Sequence, residues 1–311
     1  MSTITDIIQE KGFKLRGQSE SGKIALEFDK SDISKELFRI LNKNAMFRVF
    51  FQFIVKSGGL INGDFQRCEM MKKFLRRANC ERCGKELDSI WECDISSKLN
   101  KTITCCCGAE NKLNDSDYKK SGIKPRRNQM MHILSKFESV LTPGYVNLCC
   151  NCSFTSPAKS SDLKSRLPRC PKCNSMIEIR TDFLIKNEIK KLLAEKQGYW
   201  LEWYTYNLLG GKIPKENMLI GTKIESNGDS TDLDICFERN KNIFCIECID
   251  RKLTEFDLKK IHILKKLATE LIIITTQKLD RYDKKHLEKM QEIFKNVKVL
   301  ADTNIEKISE F

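Results

Sequence analysis

Two sets of residues in this 311-residue chain carry chemistry in their type and spacing. One is cysteine, fifteen in all. "CERCGKEL" supplies Cys80 and Cys83, and after 21 residues "TCCCGAEN" supplies Cys105, Cys106 and Cys107. "CCNCSFTS" supplies Cys149 and Cys152, and after 17 residues "RCPKCNS" supplies Cys170 and Cys173. Two knuckles at such a separation can set four thiolates tetrahedrally around one Zn²⁺. A glycine after the knuckle, Gly84 or Gly108, relieves the tight turn that aims backbone amides at sulfur. The expectation is two structural zinc ions, one on Cys80, Cys83, Cys105 and Cys107 and one on Cys149, Cys152, Cys170 and Cys173. Cys93 and Cys106 compete for places in the first set, and Cys150 competes with Cys149 in the second. Redox catalysis fits less well, because it usually needs one Cys-x-x-Cys in a thioredoxin-type setting.

The other set is acidic. "NIFCIECIDRK", Asn242 to Lys252, reads as a buried strand carrying one acid, Glu247. A buried strand with a single carboxylate usually serves to hold a metal.

The elements that must position these groups follow from periodicity. Residues 1–78 read as a helical domain of helix-turn-helix or winged-helix type, or as a plain helical packing domain. In it "ISKELFRILNKNAMFRVFFQFIVKSGG" keeps helical apolar spacing up to Gly58-Gly59, and "DFQRCEMMKKFLRRA" forms a second helix. Residues 79–182 hold the two zinc ribbons with an intervening helix, "NQMMHILSKFESVL". "TDFLIKNEIKKLLAEKQG" is an amphipathic helix leading into residues 183–311. There "YWLEWYTYNLL" is a helix closed by Gly210-Gly211, and "TDLDICFE" and "NIFCIECI" are strands joined by the turn "RNKN". A helix, the apolar run "ELIIITT", another helix and the strand "VKVLA" complete an α/β domain with a central mixed sheet.

Residues 198–300, about a third of the chain, resemble the restriction-endonuclease-like PD-(D/E)xK nuclease superfamily, in its Mrr-type branch. The likeness lies in the order of "GYWLEWYTYNLL", "STDLDICFERNKN", "NIFCIECIDRK" and "IIITT". It implies that Glu202 is the helix acid, Asp234 the strand aspartate and Glu247 the second-strand acid. It also implies that Asp234 and Glu247 hold Mg²⁺ or Mn²⁺, which favour hard oxygen ligands. The family's lysine two residues after the glutamate is replaced here by Ile249. Three accounts compete: a shifted Asp250-x-Lys252, a lysine of the next helix such as Lys259 or Lys260, or a disabled site. Lys252 is taken with the three acids as the catalytic set.

Charge suggests the partner. The formal net charge is +13, and residues 1–182 carry 32 Lys and Arg against 21 Asp and Glu. Two Cys₄ zinc sites would bring the total to +9 and leave the N-terminal part basic, as a polyanion-binding region would be. Lys72, Lys73, Arg76 and Arg77 on the expected second helix are candidates for nucleic-acid contact. So are Lys124, Arg126 and Arg127 in "KPRRNQ", and Lys164, Arg166, Arg169 and Lys172 in "KSRLPRCPK". No apolar run suits a membrane span, and the start shows no secretory pattern, so a cytoplasmic protein is expected. The three histidines, His132, His262 and His286, lie apart from one another and from the knuckles, which disfavours histidine-metal nucleases and zinc deaminases. No phosphate-binding Gly-x-x-x-x-Gly-Lys loop is present. The expected function is a metal-dependent endonuclease acting on DNA, and a homodimer is the expected assembly because nucleases of the resembled fold often work as dimers. The alternative is a nucleic-acid-binding or assembly protein built on a disabled nuclease fold.

Overall fold

The computed structural model describes residues 3–43, 45–56, 60–61, 74–95, 99–122, 133, 135–158, 168–193, 198–276 and 279–310. It forms two compact units, Met1–Phe38 with Asn187–Phe311, and Arg39–Lys186. The sequence reading draws its lines after residues 78 and 182 instead. Local periodicity shows helices near the N-terminus but is blind to a strand whose partner lies far along the chain.

The chain begins with α1 (Ile4–Glu10), β1 (Lys14–Gln18), α2 (Glu20–Asp29), α3 (Asp32–Lys43) and α4 (Ala45–Lys56). The helical spacing read from "ISKELFRILNKNAMFRVFFQFIVK" corresponds to α3 and α4; Gly58 and Gly59 lie outside the described residues. β2 (Leu60–Ile61), β3 (Leu75–Asn79), β4 (Glu86–Trp91), β5 (Asn100–Thr104), β6 (Glu110–Asn114) and β7 (Lys119–Lys120) follow. The helix expected over 64–78 therefore ends as strand: residues 62–73 are not described, and Leu75–Asn79 pairs with both β4 and β7. Strand pairing that leads directly into the Cys80 turn outweighs the weak helix preference of "FLRRA".

β8 (Leu141–Cys149), β9 (Thr155–Pro157) and β10 (Ile177–Ile185) complete the second unit. Its sheets run β2-β10-β8-β9, β4-β3-β7 and β5-β6. Residues 128–132 and 134 of the helix expected over 128–141 lie outside the described residues; Lys136–Val140 is turn, with Ile133 and Phe137 buried. Phe137 packs edge-on against Phe47 and Phe50 of α4. Thr181–Ile185, expected as helix, is the end of β10, matched residue for residue to β8.

The C-terminal run comprises α5 (Asn187–Leu193), α6 (Tyr199–Gly210), β11 (Met218–Ser226), β12 (Asp229–Arg239), β13 (Asn242–Cys248), α7 (Glu255–Leu264), β14 (Glu270–Thr275), α8 (Arg281–Ile293) and β15 (Val297–Ala301). A six-stranded mixed sheet, β1-β11-β12-β13-β14-β15, organises the first unit. β12 and β13 form an antiparallel hairpin whose turn residues, Asn240 and Lys241, both adopt positive φ, as tight hairpins demand. β13, β14 and β15 run parallel, with α7 and α8 as the crossovers that parallel pairing needs. Cys245, Ile249, Leu258, Ile261, Ile273 and Met290 share one core cluster. α6 is apolar on nearly every side and is buried to match, with Trp203 edge-on to Phe28 of α2 at 5.0 Å.

β1 and α2 are fixed to β11 by backbone contact. Ser19 N–H donates to Gly221 O at 2.6 Å, and a Cβ on Gly221 would lie 2.2 Å from Gly22 Cα. Gly221 also has φ +50°. Glycine is required at both positions. Among the described residues, no helix is long and apolar enough to cross a membrane.

Candidate active site and metal clusters

The acids named from sequence converge at one cleft of about 650 Å³ in the first unit. α6 starts at Gly198, in the left-handed region, and brings Glu202 into the cleft within its first turn. β12 brings Asp234 and β13 brings Glu247; their register pairs Ile235 with Ile246, so one further step sets the two acids opposite each other. All three are buried.

A lysine from α7 completes the cluster. Lys260 Nζ lies 3.0 Å from Asp234 Oδ1 and makes a tight pair with Glu247 Oε2. Asp234 Oδ2 accepts the Cys248 backbone N–H at 2.7 Å. Ser21, at the start of α2, lines the cleft beside Glu202 and favours its charged form. Two carboxylate oxygens, Glu202 Oε2 and Glu247 Oε1, are buried without a hydrogen-bond partner among the described residues. Groups of this kind cost free energy unless a ligand satisfies them.

Electrostatics follow from burial and crowding. Burial, then the Asp234 charge, pushes the Glu202 and Glu247 carboxyls well above the usual range. Burial opposes the charge on Lys260, but Asp234 and Glu247 outweigh it and hold the ammonium above its ordinary value. Lys260 is a fixed cation here.

The shifted Asp250-x-Lys252 arrangement is committed elsewhere. Asp250 accepts from Trp200 Nε1 at 2.9 Å and from the Thr276 hydroxyl. Lys252 Nζ binds Asp280 Oδ2 at 2.8 Å, with a side chain 70% exposed. Lys259 is exposed, and Ile249 is buried in the core cluster. Of the two α7 lysines offered from sequence, Lys259 and Lys260, it is Lys260 that meets the acids. Ser21 had no signal in the sequence, because it reaches Glu202 from the far end of the chain.

The eight expected thiols form two clusters in the second unit, Cys80, Cys83, Cys105 and Cys107, and Cys149, Cys152, Cys170 and Cys173, each with sulfurs within 4.8 Å of one another. The closest separations are 3.7 Å for Cys80–Cys107, 3.4 Å for Cys83–Cys105, 3.4 Å for Cys149–Cys173 and 3.5 Å for Cys152–Cys170. A disulfide needs about 2.05 Å. Tetrahedral Zn–S bonds of about 2.3 Å separate sulfurs by roughly 3.8 Å. The clusters can each hold a zinc ion. Cys106 and Cys150 are exposed and stand outside them, and the Cys93 side chain is not among those described.

One turn design recurs at all four knuckles. The N–H of the first cysteine binds the carbonyl of Lys85, Ala109, Phe154 or Ser175, and its own carbonyl accepts from Gly84, Gly108, Ser153 or Asn174. Each of those four residues has positive φ. The second cluster thus uses Ser153 and Asn174 where the first uses Gly84 and Gly108. The Cys80 thiol is drawn down to about 6, first by the Cys83 backbone N–H, and the Cys173 thiol to about 6, first by the Ser175 side chain.

The basic residues named for nucleic acid divide. Lys72, Lys73, Lys124, Arg126, Arg127, Lys164 and Arg166 lie outside the described residues. Arg76 sits on β3, not on a helix, and pairs with Glu92 at 2.6 Å; Arg77 beside it pairs with Glu86. Their side chains are only 18% and 10% exposed. Arg169 is exposed and donates to Asn174 O at 3.1 Å, and Lys172 lies over the Phe154 ring.

No family model matches the chain, and no curated protein matches it. Among solved structures, it is similar to Can2 from Sulfobacillus thermosulfidooxidans in complex with cyclic tetra-adenylate. That likeness has 19% identity and a TM-score of 0.31, over 41% of this chain and 38% of that one. It is also similar to protein VC1899 from Vibrio cholerae, with 10% identity and a TM-score of 0.41, over 99% of this chain and 60% of the other. The chain spans less than two thirds of the length of either.

Proposed function

We propose that the cleft of the first unit is a metal-dependent nuclease site of the PD-(D/E)xK kind, of the Mrr-type branch, hydrolysing phosphodiester bonds of DNA. The observation that carries this reading is Lys260, which reaches Asp234 and Glu247 from α7 where Ile249 leaves the strand without its lysine. Asp234 and Glu247 would hold Mg²⁺ or Mn²⁺, and the unpartnered oxygens of Glu202 and Glu247 fit a hard cation. When bound, such a cation neutralises charge developing on a phosphodiester and acidifies water.

The chain's own groups have distinct parts. Lys260, a fixed cation, donates to a non-bridging phosphate oxygen and does not serve as a base. The Cys248 N–H orients Asp234, and Ser21 orients Glu202. Ile249 and its core neighbours keep water from the inner side of the acids. The zinc clusters stabilise a unit whose basic residues grip the nucleic acid. The protein works in the cytoplasm, as a homodimer.

The second reading, a nucleic-acid-binding or assembly protein without cleavage, draws on the same ion pairs, since Lys260 already neutralises two acids without a metal. Cleavage assays with Mg²⁺ or Mn²⁺ on duplex, single-stranded and branched DNA, with an EDTA control, separate the two. Metal-dependent cutting that Lys260→Ala abolishes supports the nuclease. No cutting, with no stabilisation by either metal, favours the second reading.

A further inference from the structure

One side chain at the cleft has no role in the chemistry above. Phe256, the second residue of α7, lines the same cleft as Glu202, Asp234, Glu247 and Lys260, yet 69% of it is exposed. Single exposed apolar residues are common on surfaces and need no explanation by themselves. Phe256 differs in where it lies and in how firmly its backbone is held.

The α7 start is over-determined. Thr254 N–H and hydroxyl both donate to Asp257 Oδ2, at 2.7 and 2.9 Å. Arg251 grips the same carboxylate with two nitrogens, at 2.8 and 2.7 Å. Phe256 sits inside this closed loop of contacts, so its ring is presented to water on a rigid support. Lys223 of β11 lines the same cleft, exposed and without an ion pair to any described residue.

A phenyl ring has no donor or acceptor, so it can read neither a base edge nor a phosphate. What it offers a nucleic acid is a flat apolar face. In a duplex both faces of each internal base are already stacked, whereas an unpaired base has a face to give. Resting on the nuclease reading, we propose that Phe256 is a stacking platform for an unpaired nucleobase and Lys223 the contact for an adjoining phosphate, so that the cleft takes single-stranded nucleic acid. Stacking of this kind tolerates any base, because every base has a π-face.

The test uses the full chain in EDTA, so that binding is read without cleavage. Wild type, Phe256→Ala, Phe256→Trp and Lys223→Ala are titrated with a labelled single-stranded oligonucleotide, with its duplex, and with single strands carrying one abasic position moved along the sequence. Phe256→Ala should lose roughly tenfold in single-strand affinity, the effect of one stacked base, and nothing on the duplex. Phe256→Trp should retain the affinity. One abasic position should reproduce the loss in wild type and add nothing to Phe256→Ala. Lys223→Ala should lower the slope of log affinity against log salt by about 1. An equal loss on single strand and duplex, no loss at all, or a wild type that binds no single strand would overturn the stacking role. An unchanged salt slope would overturn the Lys223 role. The two levels of inference fail separately: metal-dependent cleavage indifferent to Phe256→Ala leaves the nuclease standing, and Phe256-dependent binding with no cleavage leaves only the platform.

Discussion

The two units each gather ligand atoms of one sign, and they do so by opposite means. In the second unit each set of four thiols meets at turns between short strands, and the small buried cluster of Ala78, Leu113 and Tyr118 adjoins the first set. In the first unit three carboxyls meet over a large core that runs from Ile4 to Val297. The exposed Lys85 lies close to the first thiol set, but four thiolates to a site depend on a metal for their cohesion. The carboxyls have Lys260. A ligand set that must build its own fold differs from one that the fold can hold without help.

The largest effect expected from this contrast concerns zinc. Elemental analysis should find two zinc ions per chain, and a strong chelator should unfold residues 39–186 while the first unit keeps its own melting transition. Limited proteolysis with mass mapping checks this. Cuts spread evenly over both units, or a folded and reduced protein free of zinc, would break the comparison.

Next comes the acid site. Asp234→Ala or Glu247→Ala should abolish metal-dependent cleavage with binding largely kept. Lys260→Ala should cost about 2–4 kcal/mol of transition-state stabilisation, the usual loss for one preorganised electrostatic group. It should also destabilise the metal-free protein by about 3–5 kcal/mol, because two buried carboxylates lose their partner. Lys252→Ala should leave the rate nearly unchanged, its pair with Asp280 being exposed. Single-turnover rates and thermal melts of the four variants decide it. A larger rate loss for Lys252→Ala than for Lys260→Ala would return the role to the strand.

Ile249→Lys restores the spacing of the family motif, and the core makes it unfavourable. Ile249 is 6% exposed among Leu253, Leu258 and Ile273. An ammonium there should destabilise the protein by about 2–4 kcal/mol without raising cleavage. Chemical denaturation and the cleavage assay report both halves.

The smallest effect is in pH. Glu202 and Glu247 are raised in the folded state, so between the ordinary glutamate range and their raised values the folded chain binds more protons than the unfolded one. Stability of the metal-free first unit should therefore fall as pH rises through that window. Mg²⁺ or Mn²⁺ must displace those protons, so metal affinity should rise with pH and binding should release protons. Calorimetry in two buffers of different ionisation enthalpy measures the release; affinity that falls with rising pH would contradict the assignment.

Much of this was legible in sequence where the signal is local. The knuckle spacing named the eight clustered thiols, and the hairpin turn "RNKN", with flanking strands, put Asp234 and Glu247 together. What escaped was non-local or subtle. β1 is five residues long and its partner β11 lies near the other end of the chain, so no window contains both. "FLRRA" and "TDFLI" have helix-compatible composition, and only their pairing to β4 and β8 makes them strands. Arg76 and Arg77 read as free cations because their partners, Glu92 and Glu86, come from another strand and its end.

The β1–β11 contact also sets an order of events during synthesis. Gln18 and Met218 lie 200 positions apart, so β1 leaves the ribosome about 10–40 s before its partner exists, at about 5–20 residues per second. All eight clustered thiols are made by residue 173, before β11 is made. The unit that carries them can thus mature while the other still waits for its sheet. A chain released between residues 173 and 218 would own both thiol clusters, one edge strand of the six-stranded sheet, and neither Asp234 nor Glu247. Such a fragment would carry the metal-binding half of the molecule and none of the acid cleft.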